Sequence, residues 1–354
     1  MNVVILIGNG FDLALGLKTR YKDFLQKYRP SATDVVATQK MKEIIEDDRK
    51  NGMEKWSYAE EAFGQQKFSQ YGEDVISVLD DCTTDFQGSL CKYLAQEEQR
   101  FAIPSDRATE IRREFRAGIR RLISTCKALT SRRQEEPTSI NFVDFNYTRT
   151  LDDLLVEPKA PSSNAIVNRA VVGPRFGMPC HVHGALRLNN TLFGVDSTAQ
   201  IADDKLRTVA GEVGYLLKPR MDSQTGVRQG DVAERMINSA GLIIVYGMSY
   251  GKTDGRWWTK IIGRLSADAG ASVVLCPYVK ELPDVISCVK KLRVIDMERR
   301  RFLSAVRPSY AATADSHKER ILVMGYGPYP DHDNRMNPCD PIGLTWIKEQ
   351  CTSD

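Results

Sequence analysis

Val3-Val4-Ile5-Leu6-Ile7-Gly8-Asn9-Gly10-Phe11-Asp12 is the stretch whose reading decides the fold. Its five β-prone apolar residues run without polar alternation, which is the pattern of a strand buried on both faces, as in a parallel sheet. Gly8 and Gly10 break the run, and Phe11-Asp12-Leu13-Ala14-Leu15 begins a helical pattern that continues in pieces to Tyr28. Strand, glycine turn and helix in this order open an α/β nucleotide domain. The glycines let the backbone turn sharply and approach a phosphate or ribose without a Cβ, and the helix behind them offers N–H groups to an anion. A full dinucleotide fingerprint has a third glycine where this chain has Leu13, so a plain tight turn is the competing reading. Asp12 would repel a bare phosphate. It suits either the helix N-terminus or a bond from a ribose hydroxyl or a base. A bulky residue at Gly10 is expected to abolish nucleotide binding and leave the fold intact.

Outward from this stretch, the parallel-strand signal returns at Ile140 to Phe145, Leu242 to Tyr246 and Ala271 to Cys276. Helical stretches follow the last two, at about 254–267 and 279–290. Residues 31–136 lack Val/Ile runs and show helical spacing, best at Ile111, Phe115, Ile119, Leu122, Ile123, Cys126 and Leu129. The expected organisation is an α/β nucleotide-binding domain over 1–30 and 137–310, a helical insertion over 31–136, and an irregular C-terminal region over 311–354. Residues 157–230 read as loop-rich, with short strands at 166–172, 180–186 and 191–195. Pro328, Pro330, Pro338 and Pro341 mark the chain after Tyr326 as irregular surface.

The chain has 354 residues, 49 Lys and Arg against 46 Asp and Glu, and a net charge of +3. That balance gives no global field for nucleic acid, so any such partner needs a local patch. Eight cysteines form no C-x-x-C pair, which suits buried thiols in a reducing compartment. No apolar run reaches the roughly 20 residues of a membrane span, and no basic segment or cleavage site marks a leader. A cytoplasmic protein is expected.

Four further segments carry chemistry. Asp144-Phe145-Asn146-Tyr147-Thr148 lies where a strand ends, the place where open α/β sheets form their ligand crevice. The Asn146 amide can donate to and accept from a sugar hydroxyl or a water; equally, Asn146 can shape a turn while Thr148 caps the next helix. In His181-Val182-His183-Gly184, a strand would point both histidines to one face. That allows a metal pair, a single base at His183 with Gly184 leaving room for a ligand, or plain packing. Tyr246-Gly247-Met248-Ser249-Tyr250-Gly251 repeats the strand-to-glycine pattern, and Asp254 after it reads as an N-cap or a ligand contact. Residues 107–133 carry nine Lys and Arg against Glu110 and Glu114. A solvated helix face is the commoner account of such a stripe; nucleic acid is the other.

Taken together, GNGFDLALGLKTRYKDF at 8–24, FNYTRTLDDL at 145–154, HVHG at 181–184, LFGVD at 192–196 and VYGMSYGKTD at 245–254 resemble the AbiH family of bacterial abortive-infection proteins. Domains of that family look like distant relatives of sirtuin-type NAD-binding domains. The resemblance implies a Rossmann-like parallel sheet of the sirtuin-like type with a large helical insertion. It implies that Gly8, Asn9, Gly10, Phe11 and Asp12 form the dinucleotide turn. Asn146 would position ribose or water and His183 would act as general base. Tyr147, Gly184, Gly247, Ser249 and Asp254 would complete the binding site. Asp12 stands where sirtuins carry a small hydroxyl residue, and Thr148 where their pattern has Asp. The sirtuin zinc module's C-x-x-C pairs are absent, so zinc-dependent deacylation is not expected.

The expected function is therefore an antiphage effector that binds a nucleotide, NAD first, and hydrolyses its N-glycosidic bond with no metal. A phage-derived trigger and self-association are compatible with this role, and no membrane partner is expected. One alternative is a metal-dependent nuclease or nucleic-acid-directed toxin using the basic helix, His181, His183 and an Asp. The other is a non-catalytic nucleotide sensor.

Overall fold

The protein is described here by a computed structural model covering residues 1–28, 56–130, 135–156, 173–224, 228–279, 288–327, 340 and 342–351, with isolated positions between 43 and 50. Its centre is a six-stranded, all-parallel sheet: β1 (Asn2–Ile7), β2 (Ser139–Asp144), β3 (Arg175–His181), β4 (Leu242–Tyr246), β5 (Ser272–Cys276) and β6 (Ile321–Val323). The strand order is β3-β2-β1-β4-β5-β6, the order of doubly wound dinucleotide-binding sheets. β1 pairs with β2 on one side and β4 on the other, matching Ile5 with Phe142 and with Ile244. The unalternating apolar run is explained by burial on both faces: Val3 to Ile7 are all inaccessible to solvent. Each such side chain contributes about 1.5–3 kcal/mol of burial.

Alternate residues of β1 feed two cores. Val3, Ile5 and Ile7 face one, Val4 and Leu6 the other. The short helices α1 (Gly10–Ala14) and α2 (Tyr21–Lys27) follow β1, and then α3 (Trp56–Gln65), α4 (Val75–Glu98) and α5 (Ala108–Leu129). Helix α5 lays Ile111, Phe115, Ile119, Leu122, Ile123 and Cys126 on the first core, as the spacing predicts, although Leu129 stays exposed. This helix therefore packs against one face of the sheet. A third core joins Tyr21 and Phe24 of α2 to Phe63, Phe86 and Leu90, and to Phe193, Val195, Leu206 and Leu217. The helical lobe is thus built from both sides of β2 and β3 in sequence.

Several expectations are corrected. Residues 198–239 hold α7 (Asp204–Val213), α8 (Lys218–Gln224) and α9 (Gln229–Ser239), not loops. Asp203 caps α7 through its carboxylate, and Gly214 ends it at φ +93°. The strand expected at 180–186 starts earlier and stops at His181. The one expected at 191–195 is a single bridge from Val195 to Leu217. The one at 166–172 lies outside the described residues. Helices α6 (Thr150–Leu155) and α10 (Gly255–Ala267) follow β2 and β4. After β5 the described helix is α11 (Cys288–Ala305), and residues 280–287 of the helix expected at 279–290 lie outside the described residues. The C-terminal region is not irregular surface. It contains α12 (Ala311–Ser316), strand β6 and α13 (Leu344–Cys351). Leu344, Ile347 and Cys351 of α13 are buried in the first core. The Asp340 carboxylate accepts from the N–H groups of Gly343, Leu344 and Thr345, which fixes the start of that helix. The four prolines of the tail lie outside the described residues. Among the described residues no helix is long and apolar enough to cross a membrane.

Candidate functional site

At the C-terminal ends of the strands, the turns after β1 and β4 lie against each other. Gly8 N–H donates to Tyr246 O and Gly10 N–H to Gly247 O, each at 2.9 Å. A Cβ on Gly10 would stand 2.6 Å from Gly247 Cα and 2.7 Å from Tyr326 Oη, and one on Gly8 would stand 2.7 Å from Gly247 O. Gly247 itself sits at φ +66°. The glycines are required by the crossing of two backbone turns, and the Gly10 N–H is engaged there. This corrects the expectation that a bulky residue at Gly10 leaves the fold intact. Gly10→Val should lower the melting temperature by several degrees, because it meets the Gly247 backbone, which cannot rotate away, as well as the Tyr326 hydroxyl. Thermal melts of the variant check this, and an unchanged midpoint would return the glycine to a purely ligand-facing role.

The rest of the first turn divides. The Phe11 ring points into the core, 6.0 Å from Phe115. Asn9 binds Thr19 at both ends of its amide, Nδ2 to Thr19 O at 3.0 Å and Oδ1 from Thr19 Oγ1 at 2.5 Å. Asp12 is buried and accepts from the hydroxyls of Thr148 (2.7 Å) and Thr150 (2.6 Å). Burial raises its carboxyl, and the two hydroxyls partly offset that rise. Thr148 is thus engaged by Asp12 and does not cap α6.

Asn146 stands just past β2. Its backbone N–H donates to Asp144 Oδ1 at 2.9 Å, and its Nδ2 to Gly8 O at 3.3 Å. Asn146 Oδ1 has no partner among the described residues.

The two histidines diverge. β3 ends at His181, Gly184 turns the chain at φ +77°, and the rings reach different acids. His181 is buried with Nε2 at 2.8 Å from Asp152 Oδ2 and Nδ1 at 3.1 Å from the Asn146 carbonyl. Both ring nitrogens face acceptors, so both carry protons and the ring is a cation. Burial works against that charge, but the Asp152 bond and the Asp144 carboxylate lift the imidazole to about 9. Asp144 itself is pushed up to about 7 by burial, against the pull of His181. Donor atoms of Asp144, Asp152 and His181 lie within 4.8 Å of one another. Both nitrogens of the ring are nevertheless engaged, and the cluster clamps the Asn146 loop from beneath. A histidine raised from 6.5 to about 9 stabilises the fold fully below pH 6.5 and loses that contribution as pH rises through 9. The amount is on the order of 3 kcal/mol. The melting temperature should therefore fall between pH 6.5 and 9.5, and His181→Gln should flatten that slope. A wild-type melting temperature that holds steady across this range would refute the imidazolium.

His183 Nε2 lies 2.9 Å from Asp254 Oδ1, and the same oxygen accepts from Lys218 Nζ at 3.0 Å. Lys218 also binds both oxygens of Glu60, at 2.9 and 3.1 Å. Burial alone would raise the Asp254 carboxyl, but the Lys218 ammonium and His183 outweigh it and hold the group well below the usual range. Burial raises Glu60 against the pull of Lys218. Lys218, which burial would discharge, is kept protonated by Asp254 and Glu60. A permanent carboxylate at Asp254 accepts the Nε2 proton and leaves His183 Nδ1 with a free lone pair. No partner for Nδ1 occurs among the described residues.

These groups surround a cavity of about 590 Å³. It lies over β1 and β4, where the strand order reverses, the switch point at which open α/β sheets bind ligands. Gly8, Asn9, Gly10, Asp12, Asn146, Tyr147, His183, Gly247, Ser249 and Asp254 line it, while Phe11 and Gly184 do not. Gly184 packs against the Asn190 carbonyl instead. Glu60 lines the cavity and Lys218 stands behind it; the sequence reading missed both, for neither lies in a motif.

The basic stripe of α5 is partly turned inward. Arg112 donates to the Asp153 carbonyl and Arg116 to that of Leu155, at the C-terminus of α6. Arg116 and Arg120 stand over the Phe176 ring. These arginines therefore serve the fold.

Over residues 4–275 the sequence matches the family described as "Bacteriophage abortive infection AbiH". The matched span contains the glycine turn, Asn146, His183, Lys218 and Asp254. No curated protein matches the sequence.

Proposed function

The chain belongs to the AbiH family of bacteriophage abortive-infection proteins, and we propose that within this defence role its cavity binds NAD and hydrolyses the nicotinamide–ribose bond. The observation that carries the reading is the meeting of two unengaged acceptors, Asn146 Oδ1 and His183 Nδ1, in the wall of a nucleotide-sized cavity at the switch point. Ligand cavities of this kind run to about 300–1,000 Å³.

In the proposed step the bond from ribose C1′ to the pyridinium nitrogen breaks. Its electron pair leaves with nicotinamide, which becomes neutral, and the sugar gains oxocarbenium character. Asn146 Oδ1 accepts a hydrogen bond from the attacking water and holds it in line. The water oxygen bonds to C1′, and its proton passes to His183 Nδ1. Asp254, already ionised, balances the imidazolium that forms. Lys218 and Glu60 hold the Asp254 carboxylate in place.

The metal-nuclease alternative relied on His181 and His183 sharing one ion. Their rings go to separate carboxylates, so the geometry favours glycosidic chemistry. The test is incubation of the purified protein with NAD, NADP and ATP, with and without chelator and lysate of phage-infected cells, followed by separation of products. Release of nicotinamide and ADP-ribose that survives chelator supports the proposal. Binding without turnover would make the protein a sensor, and absence of binding would overturn the nucleotide reading.

A further inference from the structure

The Asn9 amide ties the segment before α2 to the glycine turn. With that amide bound at both ends to Thr19, the next residue, Arg20, is held at the cavity wall beside that turn. Arg20 is exposed. Its guanidinium has no acidic partner and no hydrogen bond among the described residues.

The other charged groups of the lining are matched. Asp12 is held by two threonine hydroxyls. Glu60 and Asp254 share Lys218. Glu298 pairs with Arg301 at 2.6 Å, and Asp340 caps α13. Arg20 is thus the one basic side chain described in the lining that lacks an acid. Both oxygens of Asp12 are turned to the threonine hydroxyls, away from a free role in the lining.

We propose that Arg20 is the phosphate contact of the cavity, and that it makes the site selective for ligands with a phosphate or pyrophosphate over the corresponding nucleosides. A planar guanidinium gives two parallel N–H donors to phosphate oxygens. The tie through Asn9 and Thr19 places it where a pyrophosphate crossing the switch point would pass. The inference rests on the nucleotide reading of the cavity and deepens it by naming the group that is recognised.

Calorimetry with ADP-ribose, inorganic pyrophosphate, adenosine and nicotinamide riboside tests it on wild type, Arg20→Gln and Arg20→Lys. Melting curves should be unchanged in both variants, since the side chain is exposed and unpaired. The Arg20→Gln variant should lose about 10- to 100-fold in affinity for ADP-ribose and pyrophosphate, the scale of charge-assisted hydrogen bonds. Its affinity for the two nucleosides should stay within about twofold, and Arg20→Lys should recover part of the loss. An unchanged ADP-ribose affinity in Arg20→Gln would overturn the role of Arg20 and leave the nucleotide reading standing. An equal loss for the nucleosides would do the same, by making Arg20 a general contact. Failure of the wild type to bind any of the four would overturn both.

Discussion

His183→Ala should lower the rate of NAD cleavage by about 10²–10⁴-fold, the range contributed by a positioned general base. Asn146→Ala should lose most turnover as well. The double variant should be little worse than either single one, because groups that act in one step are not additive. The structure adds a third member. Asp254→Asn keeps the shape of the contact but presents an amide to Nε2, which no longer fixes the tautomer that leaves Nδ1 free. Its turnover should fall into the same range while its affinity for ADP-ribose is kept. Nicotinamide release at saturating NAD, together with melting curves, reads all of this. Full activity in His183→Ala with an intact fold would remove the base from the scheme.

Lys218→Met should cost about 3–5 kcal/mol of stability at pH 8, the usual result of taking one partner from a buried ion pair. Without the ammonium, Glu60 and Asp254 confront each other as carboxylates in a buried place. The loss should shrink on acidification. In the variant the folded protein holds a proton on this pair at a pH where the unfolded chain has released it, so stability is regained as pH falls. Chemical or thermal unfolding at pH 5 and pH 8 reads both the size and the sign. Adding Glu60→Gln should recover part of the loss at pH 8. A Lys218→Met protein as stable as wild type at pH 8 would mean that the cluster is open to water.

The central strand and α5 were legible because single periodicities decide them: no alternation over Val3 to Ile7, and steps of three and four from Ile111 to Cys126. Asn146 and His183, which line the cavity, stand out in the sequence as candidates because strand ends and histidines are few. The Glu60–Lys218–Asp254 group was not, since it joins three elements that only tertiary packing brings together. The shared face that a strand would give the two histidines does not occur, for a local reason. The strand ends at that residue, so alternation no longer governs where His183 goes. Helix α13 was hidden behind the prolines of the tail, although Leu344, Ile347 and Cys351 carry helical spacing. Arg20 had no sequence signal at all. What distinguishes it is that the other charged groups described in the cavity lining are answered.

The position of β1 also sets a timetable. Asn2–Ile7 leaves the ribosome well before both of its neighbours, Ser139–Asp144 and Leu242–Tyr246. At about 5–20 residues per second, the strand waits roughly 12–50 s for the second of them. Parallel pairing across such separations is slow even when both partners exist. Until then the glycine turn has no Gly247 to rest on, and His183 has no Asp254. A nascent chain therefore carries half a cavity, and whatever activity the cavity has can begin only after translation has passed residue 254.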